Sequence, residues 1–251
     1  MSELQWRSMT SARVGLGRVG DSLDTAAVLD FAMAHAMARD AVHAAMSVPS
    51  MLAGLSSRGL EAVAVKSAAG DRSAYLKRPD LGRRLAPGTR LEAAKGVLPK
   101  LTVIVSDGLS ALAADRHALL LLDALLPLLG RFSLTGAVVA EQARVALGDE
   151  VGERLGSDLV LMLIGERPGL SSPDSLGAYL TWGPRVGRTD AERNCVSNIR
   201  IGGLEYEAAA GRIAFLCAGA LRLGLTGVGL KDGSDRLLGR GQSKAQRGSQ
   251  G

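Results

Sequence analysis

Aromatic residues are scarce, at only 3% of 251 residues, so a core here has to be built from Leu, Val, Ile, Ala and Met. Cysteine is scarcer: Cys195 and Cys217 cannot make a disulfide framework and fit a reducing compartment. The three histidines, His35, His43 and His117, have no cysteine partners at ligand spacing, which argues against a metal site. No Gly-x-Ser-x-Gly nucleophile elbow exists. Long hydrophobic runs are absent too. The most apolar stretch, residues 118–130, contains Asp123 and Pro127 and is too short to span a bilayer. Glu3 and Arg7 stand where a secretory signal would be apolar, so the chain reads as soluble and intracellular.

A basic stripe interleaved with aromatics, the footprint of a nucleic-acid binder, is also missing. The formal charge is +5, but the last 21 residues hold Lys231, Arg236, Arg240, Lys244 and Arg247 against Asp232 and Asp235, a net +3. That Gly/Ser/Gln-rich segment reads as a disordered, solvated tail rather than a nucleic-acid arm.

What is present is ordinary for a globular chain: 47% hydrophobic and 22% charged residues. The length suits one α/β domain with an extra N-terminal layer. Residues 1–60 read as a helical segment. A helix capped by Asp24 or Ser22 runs to about His43, with Leu29, Met33 and Met37 recurring at i, i+4 and i+8. A shorter helix follows near residues 51–57. Residues 62–66 and 73–77 read as strands of a short β-hairpin turning at Gly70-Asp71.

From residue 101 the pattern becomes regular. Strands are predicted at 101–105, 135–140, 158–164 and 177–182, and helices at 110–130, 146–156 and 204–223. Strands apolar on both faces, alternating with helices, predict a Rossmann-like parallel sheet covered by helices over residues 61–230, with residues 231–251 as the tail. Ligands bind such sheets at the carboxyl ends of the strands, which places a site on residues 106–110, 141–145 and 165–170.

Two motifs are weak. Residues 15–20 (GLGRVG) match the dinucleotide-binding glycine pattern, but no buried strand precedes them, and they read as a plain glycine-rich lead-in. Asp115-Arg116-His117 begins like a cobalt-ligating Asp-x-His-x-x-Gly run, but Leu120 stands at the glycine position, so His117 reads as a surface helix histidine.

Four stretches carry more information: YLKRPDLGRRL (75–85), VIVSDGLS (103–110), LIGERPGL (163–170) and RNCVSNIRIGG (193–203). In this order and spacing they resemble the small subunit of ethanolamine ammonia-lyase, and the likeness covers about residues 10 to 225. The long N-terminal extension of many members is almost absent. The resemblance implies a Rossmann-like domain that, with a barrel-shaped large subunit, encloses base-on adenosylcobalamin for the radical deamination of ethanolamine to acetaldehyde and ammonia. It implies that Val145, Glu166 and Cys195 contact the cofactor, with Asp107 and Arg167 as helpers. It also implies that ethanolamine sits mainly in the large subunit and that no residue of this chain is catalytic. The place implied is the cytoplasm, with a bacterial microcompartment left open. Two other functions stay open on the residues: a cofactor-free assembly subunit, and a nucleotide-dependent oxidoreductase resting on residues 15–20.

Overall fold

The computed structural model describes residues 10, 12–93 and 99–234. The apolar runs form a six-stranded sheet from β3 (Ala62–Lys66), β4 (Lys100–Ser106), β5 (Ser133–Glu141), β6 (Leu159–Gly165), β7 (Leu176–Trp182) and β8 (Arg193–Ile199). Its order is β3-β5-β4-β6-β7-β8. β3, β5, β4 and β6 are mutually parallel, and β7 and β8 continue antiparallel. The sheet is therefore mixed.

Helices cover both faces. On one face α2 (Val48–Ser56), α4 (Ala111–Leu125) and α6 (Tyr206–Leu223) pack on Leu101, Val103, Val105, Leu161 and Leu163. On the other, α5 (Leu147–Leu155) sets Leu147, Val151 and Leu155 against Ile104, Val138, Val160 and Met162. Successive β4 residues thus serve different layers, the arrangement a strand buried on both sides requires. Ser110 starts α4 by accepting a hydrogen bond from the Ala113 N–H at 3.3 Å. Pro127, in a 3₁₀ turn at Leu126–Leu128, follows its end.

The predicted hairpin over 62–77 is not formed. β3 pairs in parallel with β5, and the chain after Gly70 forms α3 (Arg72–Lys77). Asp71 decides this. Its carboxylate caps the new helix by accepting the Ala74 N–H at 2.7 Å, and Tyr75 turns inward to full burial. The hairpin that exists lies at β1 (Arg18–Val19) and β2 (Ser22–Leu23), paired as Arg18↔Leu23 and Val19↔Ser22. Residues 15–20 therefore lead into a surface hairpin, with no strand–turn–helix to cradle a pyrophosphate.

Asp24 caps α1 (Thr25–His43), which ends at the predicted place. Its apolar stripe is another matter. Leu29, Met33 and Met37 are 64%, 64% and 52% exposed, and only Ala34 and Ala41 of the helix are buried. Among the described residues no helix is long and apolar enough to cross a membrane. Of residues 231–234, Lys231 and Asp232 are exposed and Ser234 is buried; the predicted tail beyond them lies outside the described residues.

Candidate functional site

The site follows from how the strands exit. The loop after β4 leads to α4 on one face, whereas the loop after β5 leads to α5 on the other. Neighbouring connections that part in this way open a crevice at the carboxyl edge of the sheet. A cleft of about 230 Å3 lies there, lined by Gly108, Val145, Glu166 and Arg167 from the loops and by Tyr75 and Tyr179. A larger groove of about 870 Å3 runs along residues 59–63, 90–93 and 134–138 at the other end of β3 and β5, and none of the predicted residues borders it.

Glu166 and Val145, both implied by the family resemblance, meet in this one cleft. Glu166 directly follows β6, and its backbone N–H donates to the Ser175 carbonyl at 2.9 Å. Its Oε2 accepts from the Ser175 hydroxyl at 2.5 Å and from the Asn198 N–H at 3.2 Å. The carboxylate is held by those two donors. Val145 is half-buried and packs at the edge of the α5-side core.

Cys195 stands one step away. It pairs in register with Tyr179 across β7 and β8, so both side chains share a sheet face. Cys195 is exposed and does not line the cleft itself. The two side chains lie close enough for each to influence the other's ionisation. Desolvation raises the thiol's pKa, with the Glu166 charge adding to it, so it stays protonated at neutral pH.

Asp107 does not face the cleft as a helper. Its buried carboxylate accepts the Gln142 N–H at 2.7 Å and pairs with Arg72 at 3.2 Å, tying the loop after β4 to the loop after β5. Gly108 lines the cleft instead. Burial pushes the Asp107 carboxyl up to about 6, against the pull of Arg72. The folded state then binds the extra proton between about pH 4 and about pH 6, so this group's contribution to stability falls as pH rises through that window and levels off above it. A carbon-13 NMR titration of the Asp107 carboxyl should find its midpoint near pH 6, well above that of the exposed aspartates.

Tyr75 was missed as an individual residue. It lies under the cleft with its hydroxyl donating to the Ala143 carbonyl at 3.0 Å, and burial lifts that hydroxyl to about 12. Arg144 stacks on its ring at 4.4 Å and also lines the cleft. The signal was present: Tyr75 heads the first of the four motifs, and Arg144 immediately precedes Val145. Ser175 and Tyr179 had no such signal, because only the β6–β7 pairing brings Ser175 to Glu166 and only the β7–β8 pairing brings Tyr179 to Cys195.

His117 is a further correction. It is only 3% exposed, with Nδ1 2.8 Å from the Tyr206 hydroxyl, and sits between α4 and α6 rather than on the surface. Burial lowers its pKa and keeps the ring neutral near pH 7. Among the described residues no group of three His, Cys, Asp or Glu side chains converges to hold a metal ion.

The family model "Ethanolamine ammonia-lyase light chain (EutC)" matches residues 2–231. A protein of Azotobacter vinelandii named ethanolamine ammonia-lyase small subunit is 53% identical over 246 residues, covering 94% of this chain and 91% of its own. The protein of that name in Bradyrhizobium diazoefficiens is 53% identical, covering 92% of this chain and 90% of its own. One in Pseudomonas putida is 49% identical over 261 residues, covering 98% of this chain and 93% of its own. The three motifs that line the cleft, and the fourth beside it, thus lie within a likeness running along nearly the whole chain, and the protein belongs to the ethanolamine ammonia-lyase light chain family.

Proposed function

We propose that this Rossmann-like chain acts only with a large subunit, and that together they enclose adenosylcobalamin, with Val145, Glu166 and Cys195 of this chain against the cofactor. The observation that carries the reading is the meeting of Val145 and Glu166 in one cleft at the crossover point of the sheet, beside the Tyr179–Cys195 pair.

The residues fit such a group. A corrin ring with its amide side chains is far larger than about 230 Å3, so the cleft takes one edge and a second protein wall has to close the rest. The exposed stripe of α1 supports a partner as well. An apolar helix with two buried residues leaves surface of the kind that marks protein–protein contact.

Bound there, adenosylcobalamin supplies the radical chemistry that turns ethanolamine into acetaldehyde and ammonia. This chain's residues bind and orient. Glu166, fixed by Ser175 and Asn198, presents its remaining acceptor positions to amide N–H groups. Val145 gives an apolar wall, and the protonated Cys195 thiol gives a small, soft one. Nothing in the cleft has to move a proton or a hydrogen atom, and the substrate belongs to the large subunit. The assembly works in the cytoplasm, inside or outside a microcompartment.

Mixing the purified chain with the large subunit and adenosylcobalamin tests this. Co-elution of the three and turnover only in the complete mixture are the expected results. Turnover of ethanolamine by this chain alone overturns the reading. An active complex whose cobalamin affinity ignores every substitution in the cleft points instead to an assembly subunit that does not touch the cofactor.

A further inference from the structure

Tyr75 is clasped between two guanidiniums, Arg72 at 4.8 Å and Arg144 at 4.4 Å from its ring centre. Their circumstances differ. Arg72 is neutralised by Asp107 and also donates to the carbonyls of Val42 and Gly108. Arg144 has no carboxylate within 4.0 Å among the described residues. Its Nε is buried without a partner, and its Nη2 makes only a 3.5 Å contact with the Tyr75 carbonyl. The backbone holds it in place, since the Arg144 N–H donates to the Gly82 carbonyl at 2.8 Å.

A half-buried guanidinium stripped of water and left without an anion is costly, and such a cost is offset when a ligand brings the anion. Arg144 lines the cleft, and so does Arg167, an exposed arginine that likewise lacks a carboxylate partner among the described residues. Glu166 makes no ion pair with either of them, its Oε2 being turned to the Ser175 hydroxyl and the Asn198 N–H. The cleft therefore presents two arginines without an ion-pair partner among the described residues, beside one carboxylate whose Oε2 is held by two neutral donors.

We infer that Arg144, with Arg167 at the cleft mouth, forms an anion subsite that takes a phosphodiester. On the reading above, this is the phosphodiester in the nucleotide tail of the cobalamin. That group is the cofactor's one anionic substituent, and its geminal oxygens suit the two-pronged donor geometry of arginine. The amide side chains of the corrin are neutral and fall to Glu166 and the backbone. The two kinds of contact are thus divided between neighbouring side chains in one cleft.

The test compares two corrinoids on the complex with the large subunit. Cyanocobalamin carries the nucleotide tail; dicyanocobinamide keeps the corrin amides and lacks the phosphodiester. Affinities are read by absorbance titration, and circular dichroism with co-elution checks folding and assembly. For Arg144→Gln the cyanocobalamin Kd should rise about tenfold while the cobinamide Kd stays unchanged, and Arg144→Lys should recover part of the loss. Arg167→Gln, on an exposed residue, should show the same selectivity at about threefold, and it decides the matter if Arg144→Gln fails to assemble. Equal losses for both corrinoids, or for neither, overturn the subsite. Glu166→Ala should weaken both corrinoids. If it weakens neither, or if the wild-type complex binds neither, the cofactor reading itself fails and the subsite falls with it.

Discussion

Gly165→Ala should destabilise the folded chain by about 3–5 kcal/mol, the largest effect expected of any single methyl group near the cleft. A Cβ on Gly165 would lie 2.0 Å from the Ser110 carbonyl oxygen and 2.5 Å from that of Asp107. Both obstacles are backbone, so no side chain can rotate away. The contact is mutual: Gly108, at a positive φ of 51°, would set its own Cβ 2.3 Å from the Gly165 oxygen, and the Leu109 N–H donates to that oxygen at 2.9 Å. The loop after β4 is thus pressed onto the end of β6, and this close approach shapes the cleft. For a chain of this size the loss corresponds to a fall in Tm of about 10 °C or more, measured by thermal and urea unfolding of the full chain. Gly211→Ala is the control. Nothing lies within 4 Å of a Cβ there, the residue is inside α6, and the substitution should be neutral or slightly stabilising. If Gly165→Ala costs less than about 1 kcal/mol, the loops are looser than this packing implies.

The parts of this arrangement that the sequence made legible were those that burial imposes locally. β4 and β6 announce themselves because strands covered on both faces are predominantly apolar along their length, and all of β6 is buried. The switch-point rule then placed the loops that hold Val145 and Glu166 at one edge of the sheet, and the family resemblance singled out the two residues. β8 stayed hidden for the opposite reason. Arg193 is a buried position of that strand, held by a bidentate pair with Asp149 of α5 at 2.6 and 2.7 Å, while Cys195 and Ser197 are exposed. Its pattern of buried and exposed side chains does not follow hydrophobicity. α3 was misread because six residues are too few to show a helical period, and its cap at Asp71 looked like a hairpin turn. Asp107 was misjudged because a carboxylate at a strand end looks the same whether it faces a ligand or a neighbouring loop. Only the Arg72 and Gln142 contacts separate the two cases.

Glu166→Ala should weaken cobalamin binding by the complex with the large subunit by roughly ten- to a hundredfold, the equivalent of about 1.5–3 kcal/mol for a hydrogen bond to a charged group. The structure says what keeps that carboxylate ready. Ser175 and the Asn198 N–H fix Oε2, and the side chain lies over Gly177, where a Cβ would come within 3.0 Å of Oε1 and 3.2 Å of Cγ. The bare glycine is therefore part of the site's geometry. Ser175→Ala removes one of the two donors and should cost about three- to tenfold in affinity while leaving the carboxylate in place. Gly177→Ala pushes the carboxylate off its rest by a few tenths of an ångström and should fall in the same range. Glu166→Gln keeps the shape and one acceptor oxygen, so its loss should be smaller than that of Glu166→Ala. The order of affinities, measured by absorbance titration with folding checked by circular dichroism, distinguishes a carboxylate that grips a ligand from one that merely closes a turn. A ligand contact puts Glu166→Ala lowest, with Ser175→Ala and Gly177→Ala between it and the wild type. A structural turn leaves every cobalamin affinity unchanged and shows itself only in stability, in which case Glu166 would serve to join the end of β6 to the start of β7 and to β8.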